Sequence, residues 1–335
     1  DTLPARAYFA VSALSAALAN ALLVVAPGYA SALLLRFLTG FFLAGVYPPA
    51  MKMVATWFQQ GRGLAIGTVV GALTLGKGLP YLVRALSGYA ALGPIVLLAS
   101  GGAVVGALLV AAFYRDGPTP FPRRPFSWSL AGTVFHHRPT RFATAGYLGH
   151  MWELYAMWTW LPAFLAASAA ARDPAIASFS VWVDVAAFGA IGAGAAGCVL
   201  GGRVADRIGR GRWVNLAMAA SGACALLIGF FFGASFWLLL PIAWTWGFFV
   251  VADSAQFSAM VTEVAPPHAV GTALTLQTSL GFLLTMVTIQ LVPALVGVVG
   301  WGWAFPVLAL GPMVGIMAIR GMRRAEVATV LAGVD

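Results

Sequence analysis

Ten apolar runs of about 20 residues or more follow one another along this chain, and they narrow the possible folds sharply. Hydrocarbon offers no water to backbone N–H and C=O groups, so a spanning segment must satisfy them itself, as a helix or within a closed barrel. Runs this long and continuous predict helices. Hydrophobic residues make up 61% of the 335 and charged residues 9%, where a soluble domain carries about 25% charged. The expected fold class is therefore all-α, embedded in a membrane.

Pro, Gly and charged clusters divide the runs at roughly 7–25, 32–57, 64–86, 91–114, 142–168, 178–200, 213–232, 236–260, 271–296 and 300–319. A hydrophilic stretch at 115–141 separates the fourth from the fifth. It reads as a cytoplasmic linker between an N-terminal half at 1–114, with four spans, and a six-span C-terminal bundle at 142–335. Cytoplasmic loops are enriched in Lys and Arg. One alternating set of loops holds Arg6, Arg62, Arg115, Arg123, Arg124, Arg138, Arg141, Arg203, Arg207, Arg210, Arg212, Arg320, Arg323 and Arg324. The other set has Arg84 and Arg172, which places both visible termini in the cytoplasm. The loop APPHAVG, between the eighth and ninth spans, breaks the pattern by carrying neither residue.

The net charge of +9 is then a topological signal. Its Arg residues are dispersed over loops rather than gathered into a patch, which argues against a nucleic-acid partner. Cys198 and Cys224 fall inside spans and read as small packing residues rather than a disulfide or metal ligands. No H-E-x-x-H, G-x-S-x-G or phosphate-binding loop is present, so neither an enzyme nor an ATP-driven pump is expected, and no cofactor or metal is implied.

Between two of the runs lies GGRVADRIGRGR, Gly201 to Arg212, and DTLPAR at the start of the chain is a shortened echo of it. The form G-x-x-x-D-R-x-G-R-x-R, on Gly202, Asp206, Arg207, Gly209, Arg210 and Arg212, resembles the cytoplasmic loop motif of the major facilitator superfamily (MFS) of secondary transporters. LLLRFLTGFFLAG, Leu33 to Gly45, resembles that family's helix 4 pattern. The family carries the loop motif once in each half. Asp1 and Arg6 align with Asp206 and the basic run at an offset of about 205, and RGLAIG at Arg62 aligns with VGTALT at Val270 at about 208. The resemblance implies a two-bundle transporter fold in which these segments are helices 3 to 12, with two further spans expected before Asp1.

An Asp just after one span can face the N-terminus of another helix, where unpaired N–H groups carry partial positive charge. By resemblance, Asp206 is expected to face the helix start near Gly61 to Gly63, and Asp1 the one near Ala269 to Gly271, each holding one conformation of a transport cycle. Arg207, Arg210 and Arg212 would pair with acids or lipid headgroups. The glycines of GTVVG, Gly67 to Gly71, and the run Gly189, Gly192, Gly194, Gly197 and Gly201 suit close helix approach.

An ionisable residue within a span is costly and marks a solute or proton pathway. Arg36, Lys52, Lys77, Glu153, Asp184 and Asp253 qualify, and Lys52 sits close enough to a helix end to snorkel. GYLGHMWELYAMWTWLPAF, Gly146 to Phe164, is the densest constellation. His150 and Glu153 share a face at i, i+3 with Tyr147 and Met157, and a carboxyl beside an imidazole suits reversible protonation. Glu153 leads the candidates for proton coupling, with Trp152 and Tyr155 assigned to a cavity wall. Asp253 and Gln256 stand one turn apart, and Gln277 adds another buried amide. The resemblance puts Arg36, Glu153 and Asp253 on cavity-lining helices, so Arg36 and Lys77 would meet an anionic group.

The expected function is a secondary active transporter moving a small solute by alternating access, coupled to protons, with an organic or other anion as a candidate substrate. A drug or metabolite exporter and a non-transporting receptor on the same scaffold are the alternatives. The expected partners are a small molecule, protons and the lipid bilayer, the expected state is a monomer, and the expected site is a bacterial cytoplasmic (inner) membrane.

Overall fold

The computed structural model describes residues 4–58, 60–87, 92–118, 128–172, 181–266 and 268–332, and every regular element among them is helical. In chain order these are α1 (Ala5–Ala21), α2 (Tyr29–Leu43), α3 (Tyr47–Trp57), α4 (Arg62–Ser87), α5 (Leu92–Phe113), α6 (Trp128–His136), α7 (Arg138–Arg172) and α8 (Val181–Ile208). They continue as α9 (Arg210–Leu227), α10 (Phe236–Ala252), α11 (Ser254–Val264), α12 (Val270–Val299), α13 (Trp301–Ala304) and α14 (Leu310–Ala332), with short 3₁₀ turns at Leu22–Val25, Ile228–Phe231 and Phe305–Ala309. Ten helical stretches among the described residues, from Ala5–Val25 to Trp301–Met322, are long and apolar enough to cross a membrane.

Three details depart from the reading of the sequence. The second span is interrupted at residues 44–46, where Pro48 and Pro49 occupy the first turn of α3; proline lacks the N–H that would continue α2, but is accommodated at a helix start. The eighth span is interrupted at Asp253, between α10 and α11. A short helix, α6, stands within the stretch read as a linker.

The chain divides into two compact units, one of residues 1–60 and 88–126, the other of 61–87 and 127–335. Division by sequence puts α4 with the N-terminal half, whereas its packing is chiefly against α8, so it is described with the second unit. In the first unit α1 buries Ala10, Ala13, Ala16 and Ala17 and packs against α5 and α2. Gly45, in the α2–α3 interruption, lies so close to α1 that a Cβ would strike the Ser12 side chain. Asn20 bridges further: its Nδ2 donates to Ser100 Oγ at 3.0 Å and to the Val96 carbonyl at 3.3 Å, both on α5.

In the second unit α8 runs between α4 and α10. A Cβ on Gly67 of α4 would fall on the Cys198 carbonyl, one on Gly71 would reach the Ala195 carbonyl at 3.0 Å, and one on Gly202 would meet the Gly63 carbonyl. Residues rising on α4 thus meet residues falling on α8, so the pair is antiparallel and joined at backbone distance. Opposite, Cβ atoms on Gly197 and Gly201 would meet the carbonyls of Phe248 and Ala252, and one on Gly247 of α10 that of Ala190. The same device joins α7 to α14, through Gly149 and Gly311. The largest fully buried side chains, among them Trp158, Trp246, Phe164, Phe257 and Phe305, belong to this unit.

These contacts make the cost of a methyl position-specific. Gly197→Ala, with a carbonyl in the way, is expected to destabilise by about 1–3 kcal/mol. Gly192→Ala, whose Cβ has its nearest neighbour at 3.9 Å, should be neutral or gain up to about 1 kcal/mol of helix preference. Thermal unfolding of the two variants in detergent checks the contrast.

Candidate functional site

Glu153 lies midway along the 35-residue α7, with 2% of its surface exposed. Each of its oxygens has one donor. Ser221 Oγ of α9 donates to Oε2 at 2.7 Å, and Trp246 Nε1 of α10 donates to Oε1 at 2.7 Å. Trp246 is itself held edge-on against Phe305, with ring centroids 5.2 Å apart. The carboxyl thus has two neutral hydrogen-bond partners and no cationic one among the described residues. Removing a carboxylate from water costs several kcal/mol even in relaxed proteins, so a charge at this position is costly.

One turn earlier, His150 turns to a different partner. Its Nδ1 stands 2.9 Å from Asp253 Oδ1, with both side chains at most 2% exposed. The approach is off the line of a hydrogen bond, and His150 Nε2 has no partner among the described residues. Tyr147 and Phe257 flank the imidazole, at centroid distances of 6.0 and 5.3 Å. Of the shared face expected from the sequence, His150 and Glu153 therefore each make separate arrangements.

Asp253 occupies the interruption between α10 and α11, at φ −93° and ψ −13°. An interruption frees carbonyls that a continuous helix would satisfy. Side chains from neighbouring helices reach two carbonyls beside it: Cys198 Sγ of α8 donates to the Val251 carbonyl at 3.3 Å, which also accepts from the Asp253 N–H, and Trp213 Nε1 of α9 donates to the Ala252 carbonyl at 3.0 Å. Cys198, read from sequence as a packing residue, is also a helix-end donor.

The turn from α8 to α9 is made by Gly209 at φ +94°, a conformation that disfavours a side chain. A Cβ on Gly63, in the first turn of α4, would come within 2.6 Å of Asp206 Oδ1, so that carboxylate lies against the positive end of the α4 dipole. Arg210 joins three elements: Nη1 lies 3.3 Å from Asp206 and donates to Gln256 Oε1 at 2.8 Å, and Nε donates to Glu263 Oε1 of α11 at 2.8 Å. Gln256 is fully buried, and both amide atoms of the buried Gln277 on α12 have no partner among the described residues. Gly202 abuts Gly63. Arg207 and Arg212 are exposed, as is Arg6 on α1. Asp1 lies outside the described residues.

At the far end of the α4–α8 pair, Arg84 and Asp184 form a two-pronged ion pair, with Nε donating to Oδ2 at 2.7 Å and Nη2 meeting Oδ1. Arg36 is exposed on α2, and its Nη1 donates to Asn20 Oδ1 at 3.1 Å. Lys77 is exposed on α4, and Lys52 is half-buried on α3. Trp152, assigned to a cavity wall, donates Nε1 to the Val307 carbonyl at 3.0 Å and packs at Gly311, so it belongs to the α7–α14 seam. Tyr155 meets Trp158 and Phe282 edge to face, with ring centroids 5.3 and 5.4 Å apart.

Sequence reasoning missed Ser221, Trp246 and Glu263, and it did not pair Arg84 with Asp184. Each of these partners lies at least 53 positions from its mate in the chain. A serine or tryptophan within an apolar run carries no mark of the helix that it faces.

The family model of the Major Facilitator Superfamily matches residues 1–289. Among solved structures, the human organic anion transporter MFSD10 (TETRAN) is similar at 17% identity and a TM-score of 0.72, covering 94% of this chain and 77% of that one. The E. coli fucose:proton symporter FucP, as an Asn-to-Ala variant, is similar at 15% identity and a TM-score of 0.67, covering 96% of this chain and 84% of that one. A search of curated proteins found no match.

The Arg84–Asp184 pair is open to a double-mutant cycle. Each single alanine variant should lower stability, because Asp184 is buried, and the double variant should lose less than the sum, with a coupling of about 0.5–3 kcal/mol. Unfolding of the four proteins in detergent measures it.

Proposed function

The chain belongs to the Major Facilitator Superfamily, and on that premise we propose that it is a secondary active carrier, moving a small solute by alternating access with protons coupled through Glu153. That it is an integral multi-pass membrane protein follows from the family and from the ten apolar helices among the described residues. The observation that carries the proton reading is the burial of Glu153 with two neutral donors and no cation among the described residues. A carboxyl that binds and releases a proton need not keep its charge there throughout a cycle. Asp253 and His150 supply a second ionisable pair on the same unit. His150 Nε2 and the Gln277 amide supply hydrogen-bonding capacity for a polar solute.

The seat of Asp206 over the start of α4, tied to Arg210, supports a role as a latch that closes one end of the α4–α8 pair in part of the cycle. The distribution of Arg residues supports an orientation with this latch on the cytoplasmic side of a bacterial inner membrane. The exposed Arg36 guanidinium favours an anionic solute, a reading in keeping with the organic anion transporter among the structural neighbours.

Reconstitution into proteoliposomes tests both parts. Glu153→Gln is expected to reduce proton-driven accumulation to the level of empty vesicles while solute counterflow continues; accumulation at the unaltered rate would remove the proton role. Counterflow by the unaltered protein separates a carrier from a receptor. Arg36→Ala is expected to raise KM for a transported anion about tenfold, the loss of one charge-assisted contact. An unchanged KM would remove the anion reading.

A further inference from the structure

We infer that Ser221 is the positioning residue that lets Glu153 change protonation state without breaking its hydrogen bonds, and that the proton is carried on Oε2, the oxygen facing Ser221. This rests on the proposed proton role of Glu153. The argument is one of donors and acceptors. Trp246 Nε1 can donate but never accept, so the oxygen it faces, Oε1, must be an acceptor in both states of the carboxyl. A hydroxyl can do either.

Ser221 Oγ has two acceptors within reach and one hydrogen to give: Glu153 Oε2 at 2.7 Å and the Met218 carbonyl, one turn back on α9, at 3.2 Å. With Glu153 ionised, Ser221 donates to Oε2. When a proton arrives and forms an O–H bond at Oε2, the Ser221 hydrogen rotates to the Met218 carbonyl and Ser221 Oγ accepts from the new carboxylic O–H. Every group keeps a partner in both states, and the Trp246 bond to Oε1 is untouched. No heavy atom has to leave its place, and an unsatisfied buried polar group, which costs about 1–3 kcal/mol, is avoided in either state. Ser221 is 2% exposed, so bulk water cannot readily take over its part.

Among the described residues, Asp253 at the α10–α11 junction and Cys224 on α9 are the ionisable groups that interact electrostatically with Glu153, and His150, one turn back on α7, faces Asp253. None is a hydrogen-bond partner of the carboxyl among the described residues, so none duplicates what Ser221 does.

Infrared difference spectra of the purified carrier between alkaline and acid pH test this. A protonated-carboxyl C=O band that vanishes in Glu153→Gln identifies the group. Trp246→Phe, which keeps the ring against Phe305, should move that band to higher frequency, because the C=O oxygen loses its donor. Ser221→Ala should move it by less, and should slow proton-driven uptake while counterflow continues. Ser221→Thr, which keeps the hydroxyl, should restore both. An unmoved band and unaltered uptake in Ser221→Ala would overturn the role of Ser221. A larger displacement in Ser221→Ala than in Trp246→Phe would put the proton on the other oxygen. Persistence of the band in Glu153→Gln would remove the proton role of Glu153 itself, a failure distinct from either.

Discussion

Lipid tails are as apolar as leucine, so membrane helices gain little by hiding apolar side chains from lipid; their association rests on dispersion at close range and on polar contacts between helices. In the second unit that contact is made at backbone distance. With glycines on two faces, α8 brings α4 against one side and α10 against the other, and a single methyl at Gly197 or Gly202 would meet a main-chain carbonyl. The polar arrangements follow from this approach. Because α10 sits directly on α8, Cys198 reaches the Val251 carbonyl. The same close seating of α4 brings its first turn under Asp206 and its last turn to Asp184.

The ionisable side chains of this unit are compensated in three ways. Asp184 has a cation, half exposed, that meets it with two prongs. Asp253 has an imidazole whose charge depends on its own proton. Glu153 has two neutral donors. These differ in what a proton does to them. A guanidinium keeps its charge at any physiological pH, so the Arg84–Asp184 pair is a fixed fastening. The other two sites have no such fixed cation among the described residues, and both involve α7, whose Tyr147 and Met151 form part of an apolar core with Phe257 of α11.

Much of this was legible in the sequence because hydrocarbon imposes its own rules. The spans follow from apolar length, and the ten apolar helices among the described residues fall within about four residues of the expected bounds, except that the sixth runs on to Ile208. The glycines at which α8 is joined to its neighbours were legible for the same reason. Glu153, His150, Asp253 and Gln256 stood out because a polar residue in an apolar run is conspicuous. The interruption at Asp253 left no such mark, since no proline announces it, and Asp253 read as part of a continuous span. What each buried group faces was not legible either. Ser221 and Trp246 become partners of Glu153 through the packing of three helices, and neither a serine near a glycine nor a tryptophan among phenylalanines specifies that neighbour.

The two interruptions have a relation to one another. Gly45, at the centre of the first, and Asp253, the second, are about 208 positions apart, the same spacing that separates Gly63 from Gly271 in the repeated sequence. One is made by a pair of prolines after a glycine wedged on Ser12. The other falls at an aspartate, where Cys198 and Trp213 donate to the adjacent Val251 and Ala252 carbonyls. The residues at the two places have nothing in common, yet the discontinuity is kept in register. What the two places share at the spacing of the repeated sequence is a break in the helix, and the chemistry that makes the break differs between them.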